Sequence, residues 1–139
     1  PPDLSLITRA REGGADYVYS LLTGYVTPPA GLTVGNNQHY NPYMMGDIGF
    51  AWTGPGHAPP GGFIAMPPPL TEANKVTYDD GTPVTIDQEA QDVAAFLQWA
   101  ADPKMEERKQ TGFAVLIFLA IFAGVLFASY KTIWRNVAH

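Results

Sequence analysis

Residues 111–130 read TGFAVLIFLAIFAGVLFASY, from Thr111 to Tyr130, with no charged side chain and no proline. A helix rising ~1.5 Å per residue needs about 20 apolar residues to cross a hydrocarbon core of about 30 Å. This run supplies them and reads as a transmembrane helix. A core helix of a small domain is usually shorter and carries one polar face, and a secretory signal lies at the N-terminus, so neither accounts for the segment. The arrangement expected is mainly α: a domain over residues 1–102, an anchoring helix over 103–135 whose span is about 111–130, and a short tail at 136–139.

Charge divides the chain at the same place. Residues 1–103 hold three Lys or Arg against eleven Asp or Glu and stand at −8, while residues 104–139 hold five against two and stand at +3, giving the net −5 of the whole. An acidic surface of that size repels nucleic acid and attracts basic proteins. The flank before the span has three basic residues and the flank after it two, so the positive-inside rule does not set the orientation. With no cysteine in the chain, no disulfide, iron–sulfur cluster, thiolate zinc site or covalent haem attachment arises from these residues. A first residue of Pro rather than Met points to a processed polypeptide or to a segment of a longer chain.

Outward from the anchor, Asp102-Pro103 reads as cap and first residue of a helix running unbroken into the bilayer, with Glu106 and Glu107 in its first turn. Before it, Thr85 and Gln88 form a capping box. Ile86, Ala90, Val93, Ala94, Leu97 and Ala101 follow at spacings of three and four. Near the N-terminus, Asp3 is placed to cap a helix reaching Glu12 and ended by Gly13-Gly14, and Asp16 to open another from Tyr17 to Thr23, closed by Gly24. A small hairpin is expected from Lys75 to Val84 around Asp80-Gly81. Between Tyr25 and Leu70 no period is visible, and prolines interrupt the chain repeatedly. Irregular stretches of this length are usually functional or packed against something large.

Hydrolytic and transfer chemistry find no support. His39, His57 and His139 show no metal-binding spacing and no Ser/His/Asp grouping. Asp79-Asp80 is explained as turn chemistry, and Gly61-Gly62 leads into no helix or basic residue, so it is not a phosphate loop. The segment Gly61-Gly62-Phe63-Ile64-Ala65-Met66-Pro67-Pro68-Pro69-Leu70 remains. Two glycines permit close backbone approach on one side and three prolines stiffen the other, which presents Met66 rigidly. A thioether is a soft donor suited to an axial position on haem iron. Most methionines simply fill gaps in a core, and Met44, Met45 and Met105 are chemically equivalent donors.

Taken together, these pieces resemble, in order and spacing, the C-terminal part of the cytochrome c1 family, the membrane-anchored haem subunit of the cytochrome bc1 complex, or complex III of respiratory chains. The resemblance rests on PPDLSLITRAREGGADYVYSLLTGY at 1–25, Tyr40-Asn41-Pro42-Tyr43, Ile64-Ala65-Met66-Pro67-Pro68-Pro69-Leu70, Val76-Thr77-Tyr78-Asp79-Asp80-Gly81-Thr82-Pro83, the helix containing Gln91-Asp92-Val93, Phe96-Leu97 and Trp99-Ala100-Ala101, and Arg108-Lys109. It covers nearly the whole chain. The loop from Gly46 to Gly61 is longer than the family's pattern.

The resemblance implies a C-terminal portion of a class I cytochrome c-like domain, with long irregular loops and a small hairpin, followed by one transmembrane helix. It implies electron transfer within ubiquinol–cytochrome c reductase, from the Rieske iron–sulfur protein to cytochrome c, without acid/base residues of the chain's own. Met66 matches the axial ligand of haem c, and Arg11 the arginine that meets a haem propionate, with Arg9 two residues away. Pro2, Leu4, Tyr17 and Pro67 fall where the family lines its haem pocket, and Asp79 and Asp80 where it draws in basic cytochrome c. The covalent attachment motif Cys-x-x-Cys-His, with the proximal histidine, is expected outside this chain, in the missing N-terminal half of the family's haem domain. Cytochrome b is the expected membrane partner. The acidic domain belongs, on this resemblance, in the mitochondrial intermembrane space or the bacterial periplasm, with a single pass through the inner membrane. From another class, a membrane-anchored acidic adaptor without cofactor that recruits a basic protein is also consistent with the composition.

Overall fold

The computed structural model of the chain describes residues 2–71 and 76–138. It divides into two compact units, Pro1–Ala101 and Asp102–His139. In the first unit the order is α1 (Ile7–Ala10), α2 (Gly14–Thr23), β1 (His39–Asn41), a single 3-10 turn at Gly49–Ala51, β2 (Gly62–Ile64) and α3 (Ile86–Ala101); the second is dominated by α4 (Met105–Trp134). The expectation of a mainly helical chain with one small strand pair and a C-terminal apolar helix holds.

Helix α3 starts where its capping signal lies. The Gln88 backbone N–H donates to Thr85 Oγ1 at 3.0 Å and the Glu89 N–H to the Thr85 carbonyl at 3.0 Å. Among the described residues the reciprocal bond from the Thr85 N–H to the Gln88 side chain does not form, and the Gln88 amide donates to Asp92 one turn on. Ala90 and Ala94 are buried on this helix, and it packs on α2 and α1. Small side chains on the buried stripe let helices approach closely.

Helix α1 is shorter than its signals promised. Asp3 accepts the Ser5 N–H in a local Asx turn rather than capping a helix, and Leu4 to Arg9 begin in i to i+3 bonds. Gly13 and Gly14 then take φ of +89° and +55°. Only glycine adopts such values readily, and the pair separates α1 from an α2 that starts before Asp16, which sits in its first turn and not at its cap.

The strand pair lies elsewhere than expected. Described residues 76–84 form a turn at Asp79-Asp80 with no strand on either side; Lys75, at the start of the expected hairpin, lies outside the described residues. Asp80 Oδ1 accepts the Thr82 N–H, and the Tyr78 hydroxyl bonds Asp92 on α3, so the segment is held to a helix instead of to itself. The actual strands, β1 and β2, pair antiparallel inside the stretch that showed no period, with His39 opposite Ile64, Tyr40 opposite Phe63 and Asn41 opposite Gly62. Leu32, Tyr40 and Ile48 form a core beneath them, packed by Ala51, Trp52, Ala58 and Phe63, and a bridge between Leu32 and Trp52 closes its loop.

In the second unit, Pro103-Lys104 forms a turn and α4 begins at Met105, two residues later than the Pro103 start expected, with Lys104 at its cap and the Asp102 carboxylate paired with Arg108. An 18-residue window of α4 has a mean hydropathy of 2.5 and none of it is buried. The helix is long and apolar enough to cross a membrane. Near its end the Tyr130 and Trp134 rings, one turn apart, meet at a tilt of 42°, and Lys131 lies over the Phe127 ring.

Candidate functional site

Met66 follows β2 by two residues, so the register with β1 sets where its backbone can go. Asn41, wholly buried, supplies the anchor: its side-chain amide donates to the Leu21 carbonyl of α2 at 2.8 Å, and its Oδ1 accepts the Tyr43 N–H at 3.0 Å. Gly61 turns at φ +116°, and a Cβ there would fall 2.5 Å from the Asn41 carbonyl oxygen and from Pro42 Cα. The close approach permitted by Gly61 thus brings β2 against β1. At the far end of the segment, the Tyr25 hydroxyl donates to the Met66 carbonyl at 2.9 Å.

The four methionines are no longer equivalent. Met44 Sδ accepts a hydrogen bond from the Tyr17 hydroxyl at 3.7 Å. Met45 is largely exposed, and Met105 opens α4 in the other unit. Met66 is half-buried, and among the described residues its sulfur makes no hydrogen bond. A thioether with both lone pairs uncommitted, on a segment pinned at its backbone, fits the donor chemistry that haem iron requires.

The other expected pocket residues are more dispersed. Pro2, Leu4 and Pro67 are exposed. Arg11 is exposed and its guanidinium donates to the neighbouring Ala10 carbonyl. Tyr17 is half-buried against Met44, and no hydrogen bond links it or Arg11 to Met66. The first unit also carries much uncovered apolar surface, with Leu6, Phe96 and Trp99 each 60% exposed and Phe50 83% exposed. His39 lies in β1, its ring edge-on to Tyr25, while His57 is exposed and His139 lies outside the described residues. Asp79 and Asp80 project from their turn into solvent, and hydrogen bonds from Thr82 hold the Asp80 carboxyl below the usual range.

Sequence reasoning missed Tyr25, Asn41 and Tyr78. A buried asparagine beside a proline carries no periodic signal, and tyrosines that close a tertiary hydrogen bond look like any others. Missed too were three buried polar atoms with no hydrogen-bond partner among the described residues: Thr8 Oγ1, Trp52 Nε1 and Glu89 Oε1.

The family described as the Cytochrome C1 family matches residues 1–137. The chain is similar to cytochrome c1 of Rhodospirillum rubrum, at 43% identity over 155 aligned residues that take in 100% of the chain and 51% of that protein. Its similarity to the mitochondrial heme protein cytochrome c1 2 of Arabidopsis thaliana is 48% over 121 residues, covering 87% of the chain and 34% of the relative. With cytochrome b/c1 of Bradyrhizobium diazoefficiens it shares 41% over 155 residues, 98% of the chain and 20% of the relative. The chain spans about half the length, or less, of these relatives.

Proposed function

Because the chain belongs to the cytochrome c1 family, we propose that it is the C-terminal part of the haem-bearing electron-transfer subunit of ubiquinol–cytochrome c reductase. Haem c, when bound, supplies reversible one-electron chemistry at its iron. Met66 would give that iron its sixth ligand, and a thioether there raises the reduction potential. The attachment cysteines and proximal histidine would come from outside these residues, consistent with a chain that holds no cysteine. Arg11 would neutralise a propionate, and Pro2, Leu4, Tyr17 and Pro67 would cover the ring edge and keep water out. The solvent-facing Asp79 and Asp80 would concentrate a basic cytochrome c, and the Rieske protein would be the donor. Helix α4 would hold the site beside cytochrome b; the name of the Bradyrhizobium relative, cytochrome b/c1, favours that neighbour. Relatives named from a mitochondrion and from bacteria fit an inner membrane crossed once, with the acidic unit in the intermembrane space or periplasm.

The observation that carries the reading is Met66 itself, its carbonyl pinned by Tyr25 and its sulfur uncommitted. Met66→Leu conserves volume and removes the donor. In the assembled complex it should lower the haem potential and let carbon monoxide bind the reduced iron. A variant with wild-type potential and no carbon monoxide binding would remove Met66 from the ligand role.

A further inference from the structure

Tyr25 stands directly after Gly24, the C-terminal cap of α2. That glycine has no room for a side chain, since a Cβ would run into the Tyr43 ring and the Ser20 carbonyl. The tyrosine is therefore delivered at a fixed point by a fixed helix end. Its ring meets His39 of β1 edge-on, with centroids 6.4 Å apart and planes at 70°. Tyr25, His39 and Pro68 line one cleft of about 370 Å³, and His39 is in register with Ile64, two residues before Met66. One side chain thus touches the ligand-bearing segment through its hydroxyl and the strand that pairs with that segment through its ring.

The bonded carbonyl is that of Met66, and the next residue is Pro67. Proline fixes its own φ and confines the residue before it to extended backbone. With the carbonyl also held, the peptide on the C-terminal side of the Met66 Cα is fixed, which narrows the directions open to its Cα–Cβ bond without any contact to the sulfur.

We propose that Tyr25 is the positioning residue for Met66, holding the Met66–Pro67 peptide so that the thioether stays directed at its target and resists displacement. The proposal rests on Met66 being the axial ligand. Tyr25→Phe deletes one oxygen and keeps the ring on His39. A net hydrogen bond is worth a factor of about 2–12 in equilibrium, so the variant's reduced haem should bind carbon monoxide about 2- to 12-fold more tightly than wild type, with a lowered potential. Tyr40→Phe is the control, because Tyr40 donates to the Pro60 carbonyl at 2.6 Å and not to the ligand segment.

The experiment compares carbon monoxide titration and redox potential in the haem-loaded, membrane-assembled wild type, Tyr25→Phe, Tyr40→Phe, Met66→Leu and the Tyr25→Phe/Met66→Leu double variant. The expected pattern is an effect of Tyr25→Phe that vanishes in the Met66→Leu background, with Tyr40→Phe like wild type. If Met66→Leu changes both readouts and Tyr25→Phe changes neither, the positioning role is overturned while the ligand reading stands. An equal effect of Tyr25→Phe with and without Met66, or of Tyr40→Phe, assigns it to general loosening and also overturns the proposal. Wild-type behaviour of Met66→Leu overturns the ligand reading itself.

Discussion

The Asn41 side-chain amide lies 2.8 Å from the Leu21 carbonyl oxygen, joining the first strand to the last turn of α2 across a sequence separation of 20. That carbonyl belongs to the group at a helix C-terminus that has no intrahelical partner, and Asn41, fully buried, satisfies it with one arm while its other arm takes the Tyr43 N–H. Through Asn41 the helix end and the hairpin that leads to Met66 become one unit.

Asn41→Ala should therefore destabilise the protein by about 1–3 kcal/mol, the cost of leaving buried groups unbonded. Asn41→Asp should be worse than an amide-to-acid change elsewhere, because its carboxylate keeps the bond to Tyr43 and sets negative charge against the Leu21 oxygen. Denaturant unfolding of the detergent-solubilised protein measures both. An alanine variant within 0.5 kcal/mol of wild type, the ordinary range for an inconsequential surface change, would deny Asn41 this role.

Tyr78 makes a pH prediction. Its hydrogen bond to the Asp92 carboxylate, which deprotonation would turn into repulsion, raises its ionisation to about 12. A group whose folded pKa lies above its unfolded value stabilises fully below the unfolded value, near 10 for tyrosine, and loses that contribution as pH rises to the folded one. Between about pH 10 and 12 the wild type should lose stability more steeply than Tyr78→Phe. Parallel melting curves for the two proteins across that window would exclude the linkage.

Charge at the turn should act on encounter. Replacing Asp79 and Asp80 with Asn removes two exposed charges, and exposed charges change association rate with strong salt dependence. Stopped-flow reduction of a basic cytochrome c by the assembled complex should slow at low ionic strength and rejoin the wild-type rate at high salt. Equal low-salt rates would place docking on another surface.

Within the apolar helix, an arginine in place of Leu119 should cost about 2.5–3.5 kcal/mol of insertion, and one in place of Thr132 much less because its side chain reaches the interface. Carbonate extraction of membranes reads this directly. Recovery of the wild-type chain in the supernatant would defeat the transmembrane reading of α4.

What the sequence disclosed follows the range of the forces involved. The apolar run of α4 and the Thr85 cap of α3 are local, and both appear where the pattern put them, although α4 is capped at Lys104 and Asp102 pairs with Arg108. Strands of three residues are too short to alternate, so β1 and β2 were invisible, and the turn chemistry of Asp79-Asp80 was mistaken for their signature. Met66 stood out as a candidate because glycines and prolines bracket it. What separates it from Met44 had no trace in the residues alone, since it is a tertiary contact, the Tyr17 hydroxyl on the Met44 sulfur. The Tyr25 and Asn41 contacts connect positions far apart in the chain and leave no local trace.

Strand β2 finds β1 only after residues 42–61 have looped round. Closing a loop has an entropic cost that grows with its length, and non-local pairings form later than helices. Helices α2 and α3 carry no such closure, whereas the placing of Met66, two residues beyond β2, depends on it. A protease nick between Asn41 and Gly62 would cut none of the α-helices and would release β2 from the closure that gives the Met66 thioether its address.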